Sequence, residues 1–119
     1  MTQEEKQLLL ADLSARLPYG VMVYFEGWNP EKLLEINLRI DVVNDMGGLP
    51  IPYLRPMSSL IGKELDECRA TCKYRQVGQS VLDCATPQTI DYLISHHFDF
   101  RGLIEKGLAL EAPEGMYKI

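Results

Sequence analysis

From Leu34 to Val43 the side chains alternate. Leu34, Ile36, Leu38, Ile40 and Val42 fall on one parity, and Glu35, Asn37, Arg39, Asp41 and Val43 on the other. A period of two with one mostly charged face predicts a β-strand with one side in a core and the other in water. Such a strand needs a partner. Val21 to Glu26 is β-branched and aromatic, with Val21, Val23 and Phe25 on one face and Met22 and Tyr24 on the other. "GWNPEK", Gly27 to Lys32, supplies turn residues between the two segments. They are therefore expected to pair as an antiparallel hairpin, at about 21–26 and 34–43. After the turn residues "NDMGG", the stretch "LPIPYLRP" holds Pro50, Pro52 and Pro56. Each lacks an amide donor, so this stretch is expected as an extended arm or, at about 50–55, a third, edge strand.

Helical signals surround this sheet. Thr2 and Glu5 form a T-x-x-E capping box, and Leu9, Leu10, Leu13 and Leu17 recur behind it at helical spacing. Gln7, Asp12 and Arg16 are expected to face away from that stripe, and Pro18, Tyr19 and Gly20 to stop the helix. Ser58 or Ser59 is placed to cap a second helix running to about Tyr74, with Ile61, Leu65, Cys68 and Cys72 as its apolar stripe. Thr86 followed by Pro87 starts a third, whose buried face carries Ile90, Leu93, Ile94 and His97. Asp99 caps a brief last turn that Gly107 closes. The expectation is an α+β fold, a single domain over 1–119, with three helices packed on a small antiparallel sheet.

The 119 residues suffice to bury roughly two-thirds of the unfolded surface. A net charge of −5 and a pI near 5.0 repel phosphate backbones, so nucleic-acid binding would require a local basic patch. The one basic run, Arg69, Lys73 and Arg75, sits beside Glu64, Asp66 and Glu67 and resembles a salt-bridged solvated surface. No apolar run approaches the ~18–20 residues of a membrane-spanning helix. In "MTQEEKQLLLADLSARL" acids precede leucines, the reverse of a secretory signal. The expected location is the cytoplasm, which also suits an odd count of three cysteines.

Usable chemistry concentrates in "SHHFDFRG", Ser95 to Gly102. A metal site would draw on Cys68, Cys72, Cys84 and His97. However, Cys68 and Cys72 continue an apolar stripe where small buried side chains are wanted, and their spacing is not that of a zinc knuckle. His97 reads as a core histidine, His96 as outward-facing, Asp99 as a cap and Arg101 as its ion-pair partner. No nucleophile motif, phosphate loop or dinucleotide fingerprint accompanies them. No catalytic residue is assigned and no cofactor expected; a hydrolytic or metal-dependent protein using His96, His97 and Asp99 is the alternative. Trp28 in the hairpin turn and Tyr53 in the proline arm are candidate contact anchors, joined by His96 and Arg101.

At "LSARLPYGVMV", "PYLRPMSSL" and "HHFDFRGLIEKGLALEAPEGMYK" the chain resembles a set of short uncharacterised proteins found in gut Bacteroidales genomes, prophages and other mobile elements. At "MSSLIGKELDEC" it departs from the acidic helix start of that set, so no role for Cys68 or Cys72 follows from the likeness. The resemblance implies a bacterial or phage-borne accessory protein and brings no activity with it. The expected function is a non-enzymatic protein-interaction module, with self-association left open.

Overall fold

The computed structural model describes residues 2–25, 28–39, 43, 48–72 and 80–117. The fold is α+β: among the described residues, three helices and a four-stranded sheet that is mostly antiparallel. Helix α1 spans Gln3–Arg16. Its capping box is formed, with the Glu5 amide donating to the Thr2 hydroxyl at 3.1 Å and the Thr2 amide to the Glu5 carboxylate at 2.9 Å. Leu9 and Leu13 are buried as expected, whereas Leu10 is exposed. Asp12 and Arg16 correct the outward assignment: both are fully buried. Positions 9, 12, 13 and 16 share one helical face. The two charges are tolerated there because each meets an opposite charge.

Strand β1 (Met22–Tyr24) pairs antiparallel with β2 (Glu31–Lys32), Met22 opposite Lys32 and Val23 opposite Glu31. The hairpin therefore exists, but its second strand is not 34–43. Residues Glu35–Leu38 form a 3₁₀ turn. The Asn37 side chain explains it: its carbonyl oxygen accepts the Leu34 amide at 2.8 Å while the Asn37 amide donates to the Leu34 carbonyl at 2.9 Å. Asn competes for backbone partners in this way, and the local turn wins over the ladder. Leu33 is consequently the buried residue and Leu34 is exposed. Positions 40–42 of the expected strand lie outside the described residues.

Strand β3 (Ile51–Leu54) is internal, not an edge: the order is β2-β1-β3-β4, with β4 at Leu110–Glu111. It runs antiparallel to β1 (Val23 opposite Pro52) and parallel to β4 (Tyr53 opposite Leu110). The Leu54 carbonyl accepts the Ala112 amide at 2.8 Å, on the β4 side. Backbone direction alternates along a strand, so Pro52 also turns its missing donor towards β4, where pairing begins only at Tyr53. The proline costs no ladder bond.

Helix α2 is confined to Gly62–Arg69 and starts after a 3₁₀ turn at Met57–Ser59. No serine caps it. Ile61 takes the N-cap position and is 68% exposed, so the expected stripe keeps buried Cys68 with half-buried Leu65 and Cys72. Helix α3 (Pro87–Ser95) starts as expected at Thr86–Pro87, with Thr86 and Thr89 capping each other reciprocally. Thr71 ties the two helices together, donating to the Cys68 carbonyl at 2.6 Å and lying 2.7 Å from the Thr89 hydroxyl.

Among the described residues two apolar clusters result. One joins Leu9, Leu13, Val21, Val23, Leu33, Leu54, Leu103, Leu108 and Ala109 between α1 and the sheet. The other joins Leu60, Cys68, Val81, Leu93 and Phe98 between α2 and α3. The segment between Phe98 and Leu103 connects them. No helix among the described residues is long and apolar enough to cross a membrane.

Candidate functional site

Helix α3 ends in a Schellman closure: the His97 amide donates to the Ile94 carbonyl at 3.1 Å and the Phe98 amide to the Leu93 carbonyl at 2.9 Å. The C′ position of this motif requires a left-handed backbone and usually holds glycine. Here it holds His97, at φ 64°. Phe98 then packs in the same cluster as Leu93, completing the motif's apolar contact. The chain next docks on the end of β3. The Arg55 amide donates to the His97 carbonyl and the Asp99 amide to the Arg55 carbonyl, both at 2.8 Å. Asp99 is the cap that the sequence suggested: its two carboxylate oxygens accept the Leu103 and Ile104 amides at 2.8 and 3.0 Å.

Three arginines fix this segment. Arg16 donates Nε–H to Asp12 at 2.9 Å and Nη2–H to the Phe98 carbonyl at 2.6 Å. Arg101 does not pair with Asp99; it reaches α1 and donates to the other Asp12 oxygen at 2.7 Å, its guanidinium 4.7 Å from the Phe100 ring. On the opposite side Arg55 grips Glu64 of α2 through two bonds of 2.8 and 2.6 Å and covers the Phe98 ring at 4.2 Å. Such fork-shaped pairing holds orientation as well as charge. Hydrogen bonding from Arg55 lowers the Glu64 pKa. His96 stacks on Tyr92 with ring centroids 4.1 Å apart and lies 3.6 Å from Glu64.

His97 is buried and stacks on Tyr117 at 4.0 Å and 20°. Burial pushes its pKa down to about 4, aided by the charges of Arg16, His96 and Arg55. The Tyr19 backbone, hydrogen-bonded to the ring, pulls the other way. Nδ1 is buried and has no hydrogen-bond partner among the described residues. Burial likewise raises the Tyr117 hydroxyl to about 12. A cleft of about 370 Å³ opens beside this pair, bounded by Tyr19, Met22, His96 and Met116.

The residues singled out from sequence do not converge. His96 faces Glu64, His97 faces Tyr117, and both Asp99 oxygens are spent on backbone amides. Cys68 is buried, its pKa raised to about 11 by desolvation first and then by the neighbouring Cys72 and Cys84 thiols. Cys72 and Cys84 both point sulfur at the Val81 carbonyl, at 3.7 and 3.8 Å. Among the described residues no three His, Cys, Asp or Glu side chains group closely enough to hold a metal ion. Trp28 is 60% exposed in the β1–β2 turn, and Tyr53 is half-buried in β3. Arg69 is exposed; Lys73 and Arg75 lie outside the described residues. No protein-family model matches the chain, and neither a curated protein nor a solved structure does.

Sequence reasoning missed Asp12, Arg16, Arg55, Glu64 and Tyr117. For the first two a signal existed, since Arg16 sits seven residues after Leu9 on the stripe itself and four after Asp12, the spacing of a helical ion pair. The others are joined only by tertiary contact.

Proposed function

We propose that the chain is a non-enzymatic accessory module of bacterial or prophage origin that binds another protein through the β1–β2 excursion, with Trp28 as its anchor. The observation that carries this reading is the exposure of Trp28 at 60% and Leu34 at 57%, on either side of the two-residue strand β2. Tryptophan combines a large apolar surface with few rotamers to lose, which is why it dominates contact hot spots. The Trp28 amide donates to the Phe25 carbonyl at 2.9 Å, so the turn presenting the ring is itself hydrogen-bonded. His96 and Arg101 leave the proposed surface because stacking and the Asp12 ion pair engage them. The bacterial or prophage origin rests on the sequence resemblance alone. A net charge of −5 favours a neutral or basic protein surface as partner over a phosphate backbone.

The test compares the wild-type chain with a Trp28→Ala, Leu34→Ser double variant as bait in bacterial lysate. Both side chains are exposed, so the variant should melt within a few degrees of wild type. A protein retained by the wild type and reduced at least tenfold with the variant supports the surface. Identical retention by the two baits refutes it.

A further inference from the structure

Beyond Ala112, the 113–117 segment closes a turn on itself, the Met116 amide donating to the Pro113 carbonyl at 3.1 Å. Among the described residues its hydrogen bonds back to the sheet all run through the Tyr117 side chain. The hydroxyl accepts the Met22 amide at 2.8 Å, donates to the Tyr53 carbonyl at 2.6 Å, and lies 3.5 Å from the Met22 carbonyl. Val23 pairs with Pro52, so Met22 and Tyr53 are the next rung of the β1–β3 ladder. In an uninterrupted ladder that amide and that carbonyl would bond each other. Here they stand apart, and one phenolic oxygen satisfies both.

Tyr117 also borders two clefts. One, of about 370 Å³, has Tyr19, Met22 and His97 in its walls. The other, of about 390 Å³, has Arg55, Ser59 and Glu111. The tyrosine lines both, stacked on His97, whose buried Nδ1 has no hydrogen-bond partner among the described residues.

The geometry points to a binding slot for a neutral phenol, filled in the closed chain by the chain's own Tyr117. The slot specifies its ligand. The imidazole face wants a flat ring at stacking distance. The Met22 amide and the Tyr53 carbonyl require one group that accepts and donates at once. A phenolic hydroxyl does both; an ether lacks the proton, and a carboxylate would oppose the carbonyl with a second acceptor. The polar groups that meet the hydroxyl are backbone, and the stacked imidazole is neutral, so nothing there repays stripping water from a charge. Withdrawal of Tyr117 removes a wall common to both clefts and uncovers Nδ1, giving a ligand with a second donor a contact that the resident tyrosine does not make.

The experiment titrates the full chain carrying Tyr117→Ala with 4-methylphenol and with 4-methylanisole, which has the same ring but no O–H. Calorimetry gives the affinity and amide NMR the location. The variant should bind 4-methylphenol at least tenfold more tightly than wild type does, and at least tenfold more tightly than it binds 4-methylanisole, with the Met22 and His97 amide signals shifting. Equal binding of the two probes, or no binding, overturns the assignment. N-acetyltyrosine amide is the third arm. Tighter binding than 4-methylphenol assigns the phenol to a polypeptide and weaker binding to a free small molecule, and either supports the slot. Should Tyr117→Ala not fold, wild type in saturating 4-methylphenol gives the answer by hydrogen exchange. The Met116 amide should then exchange several-fold faster while the Ile90 amide stays unchanged, and an unaltered Met116 rate overturns the inference.

Discussion

Asp12 and Arg16 lie one turn apart on α1, both without exposed surface, with Arg16 Nε 2.9 Å from the carboxylate. The pair stays buried because neither charge is left with one partner: Arg101 takes the second Asp12 oxygen, and the Phe98 carbonyl takes a second Arg16 donor. One Arg16 nitrogen, Nη1, nonetheless remains without a partner among the described residues. Removing one member of a buried pair strands the other, which costs about 3–5 kcal/mol. Asp12→Ala should therefore lose on that order of stability in urea titration, since it leaves the buried Arg16 guanidinium with a carbonyl partner but no opposite charge. Arg101→Ala removes only the 25% exposed outer partner and should cost about 1 kcal/mol. Equal losses for the two variants would show that the inner pair is not the anchor.

His97 inverts an ordinary ranking. Inside a helix glycine is worse than alanine by roughly 0.5–1 kcal/mol. At φ 64° the Cβ of any L-residue is strained by about 1–2 kcal/mol, and glycine is not. His97→Ala keeps that strain and discards the stacking on Tyr117, whereas His97→Gly discards both. His97→Gly should therefore be more stable than His97→Ala by about 1 kcal/mol. Chemical denaturation of the two variants decides it, and the opposite order would mean that the backbone relaxes away from the left-handed region.

Local chemistry explains which parts of the architecture were readable beforehand. Thr2–Glu5, Thr86–Pro87 and Asp99 each satisfy amides within a few residues, so their roles follow from neighbours alone. The alternation gives way to a 3₁₀ turn over Glu35–Leu38 for an equally local reason: parity takes no account of the ability of Asn37 to capture the Leu34 amide. The candidate site was legible only as a density of polar and aromatic residues at 95–102. Its arrangement depends on Asp12 reaching Arg101 across 89 positions, on Arg55 reaching Glu64, and on Tyr117 spanning two strands. Periodicity carries no information about such partners.

Cys68 should be the least reactive thiol of the three. It is fully buried in the α2–α3 cluster, and its pKa stands at about 11, so little thiolate exists at neutral pH and none of it meets solvent. Cys72 and Cys84 are half-buried. Timed iodoacetamide labelling with peptide mass mapping should show Cys68 modified at least tenfold more slowly than either, with the difference vanishing in urea. Labelling of Cys68 at a comparable rate in the native chain would mean that the α2–α3 cluster opens readily.

The same histidine sets a pH dependence. Its pKa is pushed to about 4 in the folded chain, against an ordinary value of 6.5, because desolvation and the nearby Arg16, His96 and Arg55 charges disfavour the imidazolium. Above pH 6.5 the ring is neutral folded and unfolded, and its contribution is fully present. As pH falls from 6.5 towards 4 the unfolded chain takes up a proton that the folded chain refuses, so stability declines, by on the order of 3 kcal/mol over the whole window. Glu64, held below its ordinary 4.5 by Arg55, adds a loss of the same sign, but only at more acid pH. The interval from 6.5 to 5 therefore keeps the Glu64 contribution out of the comparison. Urea midpoints for wild type should fall measurably across it, and those for His97→Asn, a residue that tolerates the left-handed backbone, should stay flat. Parallel slopes for the two proteins would remove His97 as the titrating group and with it the neutral, desolvated ring that the stack on Tyr117 requires.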